Sequence, residues 1–137
     1  MSDLSFSQYQ EVLKPFQELI FGIINLIEEL PEEKTSEKTK DLLNQIFLSV
    51  ITMHLSQKMQ GKGLPNKEEL EEKITNNEEK DVYSEFMKGL TLKTLQKYFE
   101  DSTSLIMTNY YFEVKEKMTQ EKIDSIQRLY QEIQERS

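Results

Sequence analysis

The fold class is decided by residues 16–30, which read FQELIFGIINLIEEL. Drawn as an α-helix, this segment carries apolar side chains on nearly every side. Such a helix is buried by neighbours on more than one side. Glutamine, glutamate and asparagine residues interrupt the stretch, which makes it too short and too polar to span a bilayer. We therefore expect a core helix.

The helical period continues on both sides of this segment, and no run shows the alternation of period two that is typical of strands. Upstream, Pro15 predicts a kink or a restart near Lys14, because proline has no amide proton to donate. Downstream, Pro31 ends the helix. Residues 32–35 are expected to form a solvated loop, and Ser36 to cap a second helix.

The periodicity predicts an all-α helical bundle of about five to seven helices. A chain of 137 residues is typical of a single domain, here residues 1–137. Thr91 is expected to cap one helix, and residues 101–103 to cap the next. The last helix is expected to be the longest, from about Ser104 to Glu135.

That last helix has two unequal halves. Its first half is densely apolar and is expected to lie in the core; it contains Leu105, Ile106, Met107, Tyr110, Tyr111, Phe112 and Val114. The second half carries a narrower stripe close to a heptad pattern, with Ile123 and Tyr130 at one position and Ile126 and Ile133 at the other. The stripe predicts a helix–helix contact, and we expect it to form a homodimer interface.

Composition excludes several functional classes. The chain has no cysteine, which excludes disulfides, thiolate metal sites and cysteine nucleophiles and suits a reducing cytoplasm. A net charge of −8 argues against binding nucleic acid or an anionic membrane surface. We expect a soluble, cytoplasmic protein that does not insert into membranes.

Catalytic motifs are also missing. The sequence has no phosphate-binding loop and no nucleophile elbow, and a single histidine cannot supply the metal-binding motifs that need two. The carboxylate runs are expected to be solvated helix faces. We therefore expect neither an enzyme nor a metal site.

His54 is the residue best suited to a chemical role. It shares an apolar stripe with Phe47 and Val50, so its imidazole is expected to point inward. It would act at the edge of the core by donating to a backbone carbonyl or a tyrosine. Alternatively, it would face a ligand carboxylate, switch with pH, or ligate haem iron. Haem is the least favoured of these, and no cofactor is expected.

The segment Gly89-Leu90-Thr91-Leu92 predicts a helix break followed by a new cap. A break of this kind can also open a gap beside a bundle. In that case Met87 and Leu90 would line a pocket.

Residues 89–93, GLTLK, with the aromatic-rich helix after them, resemble a turn in non-haem globin sensor domains, the sensing modules of stressosome proteins and some sporulation sensor histidine kinases. Residues 126–137, IQRLYQEIQERS, resemble the helix by which such domains join an output domain. The stretch after Gly89 is shorter than a full pair of globin helices. Because no output domain follows Ser137, the chain is similar to the stand-alone sporulation inhibitors of this family.

The resemblance implies a globin-like sensor domain that holds a fatty acid in an apolar tunnel, without haem. It would restrain sporulation by competing with or pairing with a sensor histidine kinase. His54 or Tyr110 would bind the polar end of the ligand. The expected ligand-binding residues are Phe47, Val50, Ile51, His54, Phe86, Met87, Leu90, Ile106 and Tyr110. The alternative is a helical interaction module without a small-molecule ligand, which predicts a packed core and an exposed apolar patch.

Overall fold

Six α-helices and one short 3₁₀ turn make up the regular structure of the described residues. The computed structural model describes residues 5–59, 67–76, 78–87 and 89–136, without the side chains at 57–59, 67 and 86. The helices are α1 (Phe6–Glu28), α2 (Glu32–Met59), α3 (Lys67–Thr75), α4 (Glu79–Phe86), α5 (Leu92–Val114) and α6 (Gln120–Arg136), with the 3₁₀ turn at Lys115–Lys117. The predicted all-α bundle is confirmed, and the helices of the described part fall within the expected range of five to seven.

Helix α1 begins at a capping box, in which the Ser5 hydroxyl accepts from the Gln8 amide and the Gln8 side chain accepts from the Ser5 amide. The helix runs through Pro15, so the restart expected near Lys14 does not occur. Proline leaves the carbonyl of Glu11 without its helical donor, but Glu11 is exposed and water can satisfy that carbonyl. The helix ends where Glu29 turns left-handed, at φ 52°.

Helix α2 begins at Glu32, four residues before the predicted cap at Ser36, and residues 32–35 are its first turn rather than a loop. The carbonyl of Pro31 accepts the Thr35 amide at 3.0 Å and the Thr35 hydroxyl at 3.2 Å. Glu32 and Glu33 place negative charge at the helix N-terminus, which the helix dipole favours. Pro31 therefore precedes the start of α2 as well as following the end of α1.

Helix α5 begins at the predicted cap, where the Thr91 hydroxyl accepts the Thr94 amide at 3.3 Å. The second cap predicted at residues 101–103 is wrong. Ser102 lies inside α5 and is fully buried, and its hydroxyl donates to Ser49 of α2 at 2.8 Å. The Ser102 hydroxyl therefore ties two helices together instead of ending one of them.

The predicted last helix is divided at residues 115–119. After the 3₁₀ turn, Met118 has extended backbone, and the Thr119 hydroxyl accepts the Lys122 amide at 3.3 Å as the cap of α6. The Thr119 carbonyl also accepts the amide of Ile123 at 3.0 Å. Threonine is a preferred N-cap residue, so Thr119 was a sequence signal for the start of a new helix.

Helix α1 lies between two sets of neighbours, as the all-round apolar segment predicted. Helices α2, α4 and α5 contact it on the side of Tyr9 and Ile20, while α6 packs along a different side, over Gly22. Helix α3 packs on α2 and α4. Aromatic rings fill the core beneath α1, with Phe16 and Phe99 stacked 5.2 Å apart. In the described part of the chain, no helix is long and apolar enough to cross a membrane.

Candidate functional site

The predicted apolar pocket residues mostly fill the core. Val50 and Ile51 are fully buried, and Met87 and Leu90 are nearly so, all within one hydrophobic cluster. The Gly89 break is present, at φ 82°, with the buried Met87 and Leu90 close to it in the chain. The side chain of Phe86 lies outside the described residues. The pockets described below open to solvent, and of this predicted set only Phe47, Ile106 and Tyr110 line them.

His54 is buried and meets Tyr98 edge-on, with ring centroids 6.4 Å apart. Tyr110, the other candidate for the polar end of a ligand, lies twelve positions after Tyr98 on α5. A helical rise of 1.5 Å per residue separates the two tyrosines by about 18 Å. His54 and Tyr110 therefore mark opposite ends of the contact between α2 and α5, too far apart to bind one carboxylate together.

A polar cluster joins the C-terminal end of α1 to three other parts of the chain. The Glu28 side chain is only 5% exposed; its carboxylate accepts from Lys38 Nζ of α2 at 2.6 Å and from the Tyr110 hydroxyl of α5 at 2.8 Å. Lys117 Nζ of the 3₁₀ turn lies 3.6 Å from the same carboxylate. We call these four residues the Glu28 cluster. Sequence reasoning did not find it, because Glu28 looks like one of several surface carboxylates.

Electrostatics hold the Glu28 cluster in one protonation state. Burial raises the pKa of Glu28, but the hydrogen bonds from Lys38 and Tyr110 and the charges of Lys38 and Lys117 outweigh it, so the pKa lies below its ordinary value. Burial, the hydrogen bond to Glu28 and the Glu28 charge raise the pKa of Tyr110 well above 10. At neutral pH the carboxylate is ionised and the tyrosine hydroxyl donates to it.

A second contact fixes the same end of α1. Lys122 Nζ of α6 donates to the carbonyl of Ile27 at 2.6 Å. The last carbonyls of a helix lack helical donors and carry partial negative charge, so a cation placed there is favoured. Together with the Glu28 cluster, this bond holds both C-terminal helices to α1.

The α2–α5 pocket lies beside the Glu28 cluster and has a volume of about 150 Å³. Its lining combines buried or partly buried apolar side chains with exposed polar ones. It is lined by Lys38, Asp41, Leu42, Gln45, Ile106, Asn109, Tyr110 and Glu113. Two predicted ligand residues, Ile106 and Tyr110, therefore meet here, although the Tyr110 hydroxyl is already engaged by Glu28.

Three large apolar side chains in the second half of α5 face solvent, contrary to the prediction that this apolar stretch lies wholly in the core. Leu105 is 53% exposed, Tyr111 47% and Phe112 61%. The rings of Tyr111 and Phe112 meet at 5.9 Å, and the Lys115 ammonium lies 5.8 Å from the Phe112 ring centre. We call Leu105, Tyr111 and Phe112 the α5 ridge. The sequence signal for this exposure was the spacing of Leu105 and Phe112, which lie two helical turns apart on the side of α5 opposite the buried Tyr110.

The predicted dimer stripe takes part in a contact within the chain. Ile133 is buried, Ile123 and Ile126 are partly buried, and Tyr130 remains 48% exposed. A groove of about 320 Å³ runs between α1 and α6; it is lined by Leu19, Ile23, Ile126, Gln127, Tyr130 and Gln131. The helix–helix contact that the pattern indicated is thus made with α1, while a contact with a second copy stays a prediction.

No group of three or more histidine, cysteine, aspartate or glutamate side chains in the described ranges is placed to hold a metal ion. Comparison of the chain with known protein families, with curated proteins and with solved structures found no match. The likeness to non-haem globin sensors therefore rests on residues 89–93 and 126–137 alone.

Proposed function

We propose that this chain is a helical protein-interaction domain that binds a partner through the α5 ridge. The observation that carries the proposal is the exposure of Leu105, Tyr111 and Phe112 within eight consecutive residues of one helix. Single exposed apolar residues are ordinary, but a cluster of them marks an interaction surface. Aromatic side chains are also the residues that most often dominate binding energy at protein interfaces.

The helix that bears the ridge is held in place before any partner arrives. Tyr110, adjacent to Tyr111, donates to the buried Glu28 carboxylate, and Ser102 is bonded to α2. A surface that is already ordered loses less conformational entropy on binding. The Glu28 cluster thus holds in place the helix that makes the proposed contact.

The test compares three forms of the purified chain as baits in a cell extract: wild type, the double variant Leu105→Ser/Phe112→Ser, and the control Leu92→Ser. Leu92 is also exposed and on α5, but it lies at the opposite end of the helix. A protein retained by wild type and by the control, yet lost by the ridge variant, supports the proposal. Equal retention by all three forms contradicts it.

A second candidate function is the fatty-acid sensor that the resemblance implies, acting on a sporulation sensor histidine kinase. One observation favours a ligand: a pocket of about 220 Å³ between α1 and α2 has a mainly apolar lining. It is formed by Phe6, Tyr9, Gln10, Leu13, Lys40, Leu43, Asn44, Phe47 and Glu79. An acyl chain would lie against Leu13, Leu43 and Phe47, with its carboxylate towards Lys40.

This second candidate is tested by native mass spectrometry of the purified chain, followed by thermal melting with added laurate. A bound fatty acid, or stabilisation of about 2.7 kcal/mol at 100 times the dissociation constant, supports it. The variant Leu43→Asn should remove the effect, and Leu92→Ser should preserve it. An unliganded mass together with an unchanged melting temperature contradicts the sensor.

The proposed homodimer is a separate question for the same protein. A second copy would meet the exposed Tyr130 and the groove beside it, since Ile133 is already buried against α1. Light scattering after size-exclusion chromatography should show a dimer for wild type and a monomer for Tyr130→Ser. A monomeric wild type at high concentration contradicts the dimer.

A further inference from the structure

Two pockets lie side by side on helix α2. One is the α2–α5 pocket; the other, of about 310 Å³, lies between α2 and α3 and is lined by Asp41, Asn44, Gln45, Leu48, Glu71, Ile74 and Thr75. Asp41 and Gln45 belong to both, so they form the wall between them. The two pockets therefore form one surface that crosses α2.

Both pockets combine buried apolar side chains with exposed carboxylates. In the α2–α5 pocket, Leu42 is buried and Ile106 partly buried, while Asp41 and Glu113 are exposed; the other pocket adds the exposed carboxylate of Glu71. The positive charge of Lys38 in the first pocket is engaged by Glu28 at 2.6 Å. Lys117 also lies near Glu28, and among the described residues neither lysine forms an ion pair with Asp41 or Glu113. The third lysine in this region, Lys115, lies over the Phe112 ring and does not line the pocket.

The ridge borders this surface. Asn109 lines the α2–α5 pocket, and it lies one helical turn from Leu105 on one side and from Phe112 on the other. Residues three or four apart are neighbours on a helix surface. A partner lying along Leu105 and Phe112 therefore passes beside Asn109, at the edge of the pocket.

We propose that the partner of the α5 ridge is a cationic amphipathic segment whose lysine or arginine enters the α2–α5 pocket. Its apolar side chains lie on Leu105 and Phe112, and the stem of the basic residue lies along Leu42 and Ile106. The charged head reaches Asp41 and Glu113, which matches the habit of long basic side chains to bury the stem and expose the head. The chain's net charge of −8 also steers a cationic partner towards it. This inference rests on the proposed function.

The probes are two synthetic amphipathic peptides with one leucine pattern, carrying either lysine or glutamate on the polar face. Binding is measured by fluorescence anisotropy, and the contact is mapped by amide chemical shifts. The lysine peptide should bind at least about tenfold more tightly than the glutamate peptide. The variant Asp41→Asn/Glu113→Gln should lose about tenfold in affinity for the lysine peptide.

A matched control removes two carboxylates elsewhere. Glu132→Gln/Glu135→Gln changes the net charge equally, but these residues are exposed on α6. It should retain the wild-type affinity within about twofold. Equal loss in both double variants would mean general charge attraction and would overturn the inference.

The chemical shifts separate this inference from the proposed function. If both peptides shift the amides of Leu105 and Phe112 with equal affinity, the ridge is a docking surface but its partner is not cationic. If neither peptide shifts those amides, the inference and the proposed function both fail. Thermal melting of each variant confirms that it is folded.

Discussion

The two C-terminal helices differ in how apolar they are and in how well they are covered. The second half of α5 is densely apolar, yet it leaves Leu105, Tyr111 and Phe112 exposed. Helix α6 carries only a narrow stripe, yet it buries Ile133, partly buries Ile126, and leaves Tyr130 as its one large exposed hydrophobic residue. The more apolar helix therefore leaves more of its apolar surface uncovered.

The reason lies in the neighbours of each helix. Helix α5 packs chiefly on α2 and also touches α1, so the side that faces away from them has no cover among the described residues. Helix α6 packs on α1, which covers Ile133 and part of Ile126 but not Tyr130. The number of apolar residues thus sets how much apolar surface a helix carries. The arrangement of the neighbouring helices decides how much of that surface is buried.

The largest expected effect comes from comparing two phenylalanines of α5. Phe99 is fully buried and stacks on Phe16, whereas Phe112 is 61% exposed. Phe99→Ala should lower the free energy of unfolding by about 3–5 kcal/mol, through lost burial and the cavity left behind. Phe112→Ala should change it by less than about 0.5 kcal/mol. Denaturant unfolding measures both; a large loss at Phe112 would mean that the ridge is covered.

The next-largest effect tests whether α6 packs on α1. Ile133→Ala should cost about 2 kcal/mol, at the low end for such truncations because the site lies at the edge of the protein. Tyr130→Ala, three residues earlier and 48% exposed, should cost less than about 0.5 kcal/mol. If the two variants unfold alike, α6 does not pack on α1 in solution.

Glu28→Gln tests the anchor that α1 provides for α5 and for the 3₁₀ turn. At neutral pH the variant should lose about 1.5–3 kcal/mol, because it weakens hydrogen bonds that a charged group makes. The pKa of Glu28 is lower in the folded chain than its ordinary 4.5, so the ionised carboxylate stabilises the fold above that pH. As the pH falls through the folded pKa, this stability is lost and the variant should approach wild type.

The measurement is denaturant unfolding of wild type and Glu28→Gln from pH 7 downwards. Glu18→Gln is a matched control, because Glu18 is an exposed α1 carboxylate paired with Arg136 of α6. It should differ from wild type by less than about 1 kcal/mol. A Glu28→Gln difference that stays constant with pH would contradict the lowered pKa.

The smallest net effect is expected at Gly22, over which Leu129 of α6 packs. A Cβ at Gly22 would overlap the end of the Leu129 side chain, which must then shift. Because alanine favours a helix over glycine by about 1 kcal/mol, the gain and the clash should nearly cancel.

A double-mutant cycle separates the gain in helix propensity at Gly22 from the clash with Leu129. In a Leu129→Ala background the clash is gone, so Gly22→Ala should then stabilise the chain by about 1 kcal/mol. Identical effects of Gly22→Ala in both backgrounds would show that α6 does not approach α1 closely at this point.

The candidate site was only partly predictable. The sequence indicated that Tyr110 and Ile106 lie together on α5, and the structure places both at the α2–α5 pocket. The partners of Tyr110 were not predictable, because Glu28 lies 82 positions away on another helix. The ridge was missed because a local run of apolar residues does not show which side of a helix lacks a neighbour.

The sequence by itself determined the all-α class, the cap at Thr91, the break at Gly89 and the burial of α1 on more than one side. These follow from local backbone preferences and from the helical period, which act within a few residues. Only the tertiary structure decided that Ser102 bridges two helices, that α6 lies on Gly22, and that Phe112 faces solvent while Glu28 is buried. Those outcomes depend on which helices meet, and that is set by packing between residues far apart in the chain.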